Sequence, residues 1–293
     1  MSFARVSDVS LKGYDQGQGW ESSWRKTPAL ASAQGVCCDL SGAPGNPKPN
    51  YYTGSELTFT PLGGSDPLTA PLLSKDGMYH GGDVSPAVKT LHKLLIGSLG
   101  AGVTPATFYV CDYLGFYPLV DMDSTDTQTM TNTLTLPRYS DGLGVQAVLV
   151  ATNPYIGGAQ FYLNATCYGG AVADSRIETS NLTTFIGTVI HSGAPTVVAG
   201  GPWIRMPADC RGIKQVNSIT FTAPNGGLAA LVLVKVLGRV MTNEITAYSE
   251  HLFVEQGVRM PRILDGAYVN MFCIPNGSIA GVPINGMISS VWN

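Results

Sequence analysis

The chain has 293 residues, of which 13% are charged, and a formal net charge of −3. An average soluble domain has roughly 25% charged residues, so neutral polar side chains must cover much of this surface. Phosphate recognition needs clustered Lys and Arg, and without such a cluster the composition argues against direct nucleic-acid binding. From Leu143 to Ile204 the only charged residues are Asp174, Arg176 and Glu178. A subunit that buries its surface against neighbours tolerates so little charge better than a monomer does.

The chain lacks the features of membrane insertion and export. It contains no run of 18 apolar residues, and its first residues lack the apolar core of a signal peptide. We therefore expect synthesis in a cytoplasm, no membrane partner, and six cysteines present as free thiols. Cys111, Cys167 and Cys273 lie in apolar runs typical of strands, where cysteine behaves as a small buried hydrophobe.

Residues 1–80 differ in composition from the rest. Gly and Pro are dense here, and both interrupt helices and central strands, which predicts an extended arm with short strands. The arm also carries Trp20, Trp24, Tyr51 and Tyr52, which are too apolar to remain in water. We expect these four residues to make assembly contacts with a neighbouring subunit or with the main domain. Residues 81–293 then form the core domain.

One short helix is predicted at about residues 86–97. Ser85 can act as its N-cap, Pro86 suits its first position, and Val88, Leu91, Leu94 and Leu95 form an apolar stripe. The stripe ends near the glycines at 97 and 100, where a helix can terminate.

From residue 107 onward the pattern predicts β-strands. Runs rich in β-branched and aromatic residues alternate with Gly, Pro and Asn. Many short strands joined by tight turns are typical of a sandwich, jelly roll or barrel. The predicted fold is mainly β: a β-sandwich or jelly-roll-like domain with the N-terminal arm and one short helix.

The motif [LM]-P-x-x-x-x-G occurs three times, at 136–142, 206–212 and 260–266. Each copy precedes a predicted strand, and each strand then meets a turn signal rich in Asn, Pro or Gly. The repeat predicts stacked hairpins within one sandwich, with chance recurrence in a Gly/Pro-rich sequence as the alternative. In neither case does it carry chemistry.

No metal or cofactor is expected. The four histidines are far apart in sequence and form no H-E-x-x-H motif. Asp121, Asp123 and Asp126 are the weak candidate for an ion site, because their carboxylates alternate as in a calcium loop. The glycine and the distal glutamate of such a loop are missing, so a solvated turn is the expected outcome.

No catalytic motif is present either. The chain lacks the G-x-S-x-G of serine hydrolases and the glycine-rich phosphate loops. We expect no enzyme activity. Glycoside hydrolases have no short motif, because their two carboxylates come from distant strands, so a carbohydrate-binding or glycan-hydrolysing β protein of a phage tail stays open as the alternative.

The run 136–152, from Leu136-Pro-Arg-Tyr-Ser-Asp-Gly to Val-Ala-Thr, and the run Gly-Gly-Leu-Ala-Ala-Leu-Val-Leu-Val from Gly226 resemble β-rich structural proteins of tailed bacteriophages. The resemblance covers about a third of the chain and brings no catalytic residues with it. It implies a virion structural protein, namely a capsid-associated or decoration subunit made in the host cytoplasm. Its partners would be copies of itself and other virion proteins. The long spine helix of the usual tailed-phage capsid fold has no counterpart in this sequence.

Overall fold

The computed structural model describes residues 6–29, 32–49, 77–98, 100, 103–130, 135–182, 185–192, 201–245, 247–254 and 260–293. A short helix α1 (Val6–Ser10) leads into a π-helical turn (Leu11–Asp15). The strands are β1 (Gly19–Lys26), β2 (Cys38–Asp39), β3 (Gly45–Asn46), β4 (Lys89–Ser98), β5 (Ala106–Asp121), β6 (Gln128–Thr129), β7 (Val145–Ala151), β8 (Gln160–Cys167), β9 (Val172–Asp174), β10 (Glu178–Thr179), β11 (Ile213–Phe221), β12 (Leu228–Thr242), β13 (Tyr248–Leu252), β14 (Val269–Ile274) and β15 (Ile284–Trp292).

These strands form three antiparallel sheets within the described residues. The terminal sheet has the order β13-β4-β15-β1-β3, and the central sheet has the order β2-β14-β5-β12-β7. The third sheet has the order β10-β8-β11-β6, with β9 also paired to β8. The prediction of a mainly β, sandwich-class fold is confirmed.

The central sheet is shared by two sandwiches because its middle strands are long. β5 has 16 residues and β12 has 15, so each spans roughly 50 Å at about 3.3 Å per residue. Phe108 and Val110, near the start of β5, pack in a core with the terminal sheet. Leu114 and Tyr117, further along β5, pack in a core with the third sheet. We call these the terminal core and the third-sheet core.

The predicted helix at 86–97 is wrong, because this stretch is strand β4, paired with β15 on one side and β13 on the other. A β-bulge explains the misleading pattern. Leu91 pairs with Ser290 and Lys93 pairs with Ser289, so His92 is an extra residue in the strand. The bulge lets Leu91 and Leu94 both point into the terminal core, and a spacing of three mimics the periodicity of a helix.

The predicted separate arm over residues 1–80 also needs correction. All eight residues of β1 pair with β15, so this strand is an interior member of the terminal sheet. Trp24 is only 3% exposed and lies in the terminal core, and Leu40 is fully buried in the same core. Trp24 and Leu40 thus find their apolar cover within their own chain.

The three [LM]-P-x-x-x-x-G segments each precede a strand, as predicted, namely β7, β11 and β14. Their glycines Gly142, Gly212 and Gly266 have φ angles of 81°, 148° and 73°, a region that favours glycine. A Cβ atom on Gly212 would collide with the backbone of residues 142 and 144. The first two segments therefore pack directly against each other.

A buried ion pair lies where the first segment meets the central sheet. Arg138 Nε and Nη2 donate to the two carboxylate oxygens of Asp112, each at 2.8 Å. Asp112 is fully buried, and the Tyr268 amide donates to it at 3.1 Å. Burial raises the pKa of Asp112, and the Arg138 hydrogen bonds oppose that rise. Along β5, Asp112 lies between the residues of the two cores, so the ion pair marks their junction.

The expectation of six free thiols is wrong for one pair. Cys167 and Cys210 form a disulfide, with their Cα atoms 5.2 Å apart. Pairing of β8 with β11 brings Cys167 opposite Ile213, and the second [LM]-P-x-x-x-x-G segment places Cys210 just before that strand. Cys37, Cys38, Cys111 and Cys273 are free and buried. The free-thiol argument therefore no longer supports a cytoplasmic environment.

Candidate functional site

An aromatic group stands at one end of the terminal sheet. Trp20 is 46% exposed and Tyr79 is 48% exposed, and their rings meet at 90° with centroids 5.3 Å apart. A Cβ atom on Gly81 would lie 2.9 Å from Trp20 Cβ and 3.1 Å from Trp292 Cζ3. Only glycine lets the chain pass so close beneath both indoles. We call Trp20, Tyr79 and Trp292 the aromatic edge.

A buried histidine and lysine lie under the aromatic edge. The Lys89 ammonium donates to the Gly82 carbonyl and lies 3.1 Å from His80 Nδ1. His80 Nε2 is 2.9 Å from the Ala267 carbonyl. Because an ammonium only donates, Nδ1 of His80 accepts and Nε2 carries the proton. This arrangement ties the segment that carries Tyr79 to the start of β4 and to residue 267.

The pKa values of both groups are lowered. Burial lowers the pKa of His80, and the neighbouring Lys89 cation lowers it further. Burial also lowers the pKa of Lys89, while Asp265 and Asp83 act in the opposite sense. His80 is thus neutral at physiological pH, as its accepting Nδ1 requires.

The loop after Tyr79 is held by the third [LM]-P-x-x-x-x-G segment. The Asp265 carboxylate accepts a hydrogen bond from the Val84 amide at 3.0 Å. The Gly266 amide donates to the Asp83 carboxylate at 2.8 Å. These reciprocal bonds anchor the loop, so the aromatic edge is presented on a fixed backbone.

A second apolar surface lies around the turn at residues 156–158 and the described residues 182, 185 and 186. Its exposed side chains are Ile156 (70%), Leu182 (63%), Phe185 (41%) and Ile186 (37%). A Cβ atom on Gly157 would lie 3.2 Å from Leu182 Cδ2, which places this leucine against the turn that carries Ile156. Single exposed hydrophobic residues are normal on a protein surface, but four large ones in two short segments are typical of a contact surface.

A buried polar cluster lies between the end of β1 and β2. Lys26 is fully buried and donates to the Ala43 carbonyl at 3.0 Å and the Pro47 carbonyl at 2.5 Å. Asp39 accepts from the Tyr113 hydroxyl at 2.7 Å. Burial lowers the pKa of Lys26 to about 8 and raises that of Asp39 to about 6.

A small cavity of about 120 Å³, lined by Cys38, Asp39 and Ile186 among others, borders this cluster. The Lys26 ammonium is directed at backbone carbonyls, so its hydrogen bonds fasten the 41–47 loop to β1. Burial also raises the pKa of Cys38 to about 12, which makes the thiol unreactive. The chemistry of this cluster is therefore structural.

The structure separates the four predicted assembly residues. Trp20 is exposed on the aromatic edge. Trp24 is in the terminal core and offers no surface to a neighbouring subunit, which corrects its predicted role. Tyr51 and Tyr52 lie outside the described residues. Tyr79 and Trp292 were missed, because each is an isolated aromatic residue far from Trp20 in sequence.

The carboxylates of the acidic turn are engaged by nearby backbone amides. Asp121 accepts a hydrogen bond from the Asp123 amide at 2.9 Å, and Asp123 accepts from the Gly226 amide at 3.2 Å. The Asp126 amide is held by Ser124 at 3.2 Å. Within the described residues no three metal-ligating side chains come together. The carboxylates of Asp121 and Asp123 serve the turn.

No protein-family model and no curated protein matches the chain. No helix among the described residues is long and apolar enough to cross a membrane.

Proposed function

We propose that the protein is a structural subunit of a virus particle, of the capsid-associated or decoration type, that attaches to its neighbours through the aromatic edge. The observation that carries the proposal is the exposure of Trp20 and Tyr79 on an anchored backbone. Trp and Tyr are enriched among the residues that dominate binding energy at protein interfaces. A rigid presentation reduces the entropy lost on association.

The second apolar surface supports the same proposal. Its residues Ile156 and Leu182 meet beside the ends of β8 and β10 of the third sheet, whereas the aromatic edge belongs to the terminal sheet. A subunit with two separate contact surfaces can touch more than one neighbour, as closed rings and shells require. The low charge of the chain is consistent with large areas of contact between subunits.

The test is native mass spectrometry and light scattering of the full chain from about 1 to 100 μM, a range that brackets weak self-association. We expect oligomers, or binding to particles from the source. Trp20→Ser should weaken association by about 2 kcal/mol, roughly thirtyfold. Tyr248→Ser is the matched control, because Tyr248 is equally exposed at 53% but lies elsewhere on the terminal sheet.

A chain that stays monomeric over this range and fails to bind particles would contradict the proposal. So would an oligomer that Trp20→Ser and Tyr248→Ser weaken equally, because the aromatic edge would then have no special role.

A further inference from the structure

One row of residues crosses the whole terminal sheet on its outer face. The strand register aligns Asn46 with Arg25, Arg25 with Asn285, Asn285 with Gly97, and Gly97 with Tyr248. Across the sheet the row therefore presents the Asn46 amide, the Arg25 guanidinium, the Asn285 amide, no side chain at Gly97, and the Tyr248 ring. Neighbouring strands are about 4.8 Å apart, so the row from Arg25 to Tyr248 extends roughly 14 Å.

Glycine in the row lets the aromatic ring turn inward. A Cβ atom on Gly97 would lie 2.9 Å from two ring atoms of Tyr248, so the ring rests directly on the sheet. Asn285 Nδ2 donates to the Tyr248 hydroxyl at 2.6 Å and fixes the ring from the other side. The ring is held in place but is still 53% exposed.

A groove runs beside this row. The next row on the same face contains Ser23, Met287, Leu95 and Glu250. Met287 and Leu95 add an apolar strip, and the Glu250 carboxylate at the end of the row pairs with Lys93. Both rows line a cavity of about 360 Å³. This volume falls in the range of roughly 300–1,000 Å³ that small-molecule sites occupy.

The groove has an acceptor without a donor. Asn285 Oδ1 is buried and has no hydrogen-bond partner among the described residues. Because Oδ1 is itself buried, a ligand hydroxyl can donate to it only when the Asn285 amide turns towards the groove, and the cost of about 1–3 kcal/mol for an unpaired buried acceptor favours that turn. Arg25 contributes the only charge among the lining residues, and it forms no ion pair within the described part of the chain.

We propose that this groove binds an oligosaccharide with an acidic sugar unit. The Tyr248 ring stacks on the C–H face of one sugar ring, and Met287 and Leu95 extend the apolar contact. Asn285 Oδ1 accepts from a sugar hydroxyl, and Arg25 pairs with the carboxylate or sulfate of the acidic unit. This binding function is separate from assembly through the aromatic edge.

The chemistry of the groove favours a saccharide over a peptide strand or a nucleic acid. A peptide strand would need a free sheet edge, whereas the groove lies on the face of paired strands. A nucleic acid would need several cations along its backbone, and the groove supplies one. Amides next to an aromatic ring match the alternating hydroxyls and C–H faces of a sugar.

The experiment is to apply the full chain to an array of neutral, uronic-acid, sialylated and sulfated oligosaccharides, with a single-stranded oligonucleotide as a decoy. The strongest saccharide is then titrated calorimetrically. We expect acidic saccharides to bind. Neutral saccharides should bind at least about tenfold more weakly, because they lack the one charge-assisted contact with Arg25. Tyr248→Ala and Arg25→Gln should each weaken binding by about tenfold or more, while their melting temperatures match the wild type.

Phe185→Ala is the matched control, because Phe185 is an exposed aromatic residue on the second apolar surface. It should bind the saccharide like the wild type. An array without a saccharide signal, binding of neutral sugars alone, or preference for the oligonucleotide would overturn the proposal. Equal affinity of the wild type, Tyr248→Ala and Arg25→Gln would overturn it as well. The oligomeric state is measured separately, so failure here is distinguishable from failure of the assembly proposal.

Discussion

The two sandwiches handle buried charge in different ways. In the third-sheet half, the nearly buried Glu178 is paired with Arg205, whose Nη2 lies 2.9 Å from Glu178 Oε2. In the terminal half, Lys26 and Lys89 are buried against backbone carbonyls and a histidine, with no carboxylate in ion-pair distance among the described residues.

The same division holds for covalent links and exposed groups. The disulfide lies in the third-sheet half. The aromatic edge and the groove at Tyr248 both lie on the terminal sheet or its covering loop. A buried cation is costly unless it is hydrogen-bonded, and backbone carbonyls supply those bonds to Lys26 and Lys89. One half therefore holds its buried charge by an ion pair and carries the crosslink, while the other holds its buried cations by carbonyls and carries the aromatic edge and the groove.

Removing residues 1–80 should have the largest effect. The truncation deletes β1 from the interior of the terminal sheet and removes Trp24 and Leu40 from its core. We expect no cooperative thermal transition from the 81–293 fragment, measured by circular dichroism. Full-length Trp20→Ser is the control and should melt like the wild type. A fragment with a sharp transition would show that the terminal half does not need its first strands.

Arg138→Leu should destabilise both halves, because the ion pair with Asp112 lies at their junction. Breaking a buried pair leaves an uncompensated carboxylate and typically costs about 3–5 kcal/mol. Urea unfolding measures the loss. Lys93→Gln is the control, since Lys93 forms only partly exposed pairs with Glu21 and Glu250, for which we expect about 1 kcal/mol or less. Similar losses in the two variants would argue against a special role for the junction.

Replacing both Cys167 and Cys210 with Ala should weaken the third-sheet half. The crosslink joins residues 43 positions apart, and the loss of loop-closure entropy predicts a cost of about 4 kcal/mol. Alkylation of the denatured wild type should label four thiols without reduction and six after it. Labelling of six thiols without prior reduction would show that the crosslink is absent.

His191→Gln should make stability less sensitive to acid. Burial lowers the pKa of His191 from 6.5 to about 4. Above about pH 6.5, His191 is neutral in both the folded and the unfolded chain. Between about pH 6.5 and 4 the unfolded chain binds a proton at this histidine and the folded chain does not, so the fold loses stability as the pH falls through this window. The shift corresponds to about 3 kcal/mol.

Urea unfolding at several pH values measures the effect. The free energy of unfolding should depend less steeply on pH for the variant than for the wild type. His251→Gln should change the slope less, because His251 is partly exposed. Equal slopes for wild type and His191→Gln would contradict the assignment.

Much of the central architecture was predictable from local pattern. The runs that became β5, β7, β8, β11, β12 and β14 are rich in β-branched and aromatic residues and are bounded by turn residues. The three repeated segments were predicted to precede strands, and each does; their glycines all have positive φ. Among the residues after β10, Thr188 and Val189 make isolated bridges to Cys38 and Val150, and Val189 packs in the core on one face of the central sheet.

The candidate sites depended on long-range contacts. Trp20 and Trp24 lie on the same face of β1 and both pair with β15, but the terminal core covers Trp24 and leaves Trp20 46% exposed. The groove requires β1, β4, β13 and β15 to align in one register, and no local pattern encodes that alignment.

The sequence by itself determined the fold class, the strand-rich second half, the turn glycines and the sparse charge of the surface, because these follow from composition and from the φ/ψ preferences of single residues. Only the tertiary structure decided that residues 89–98 form a strand, that β1 belongs to the terminal sheet and that Cys167 meets Cys210. A bulge, a sheet partner and a disulfide each depend on which distant segment lies alongside. The free energy of that packing overrides local preference.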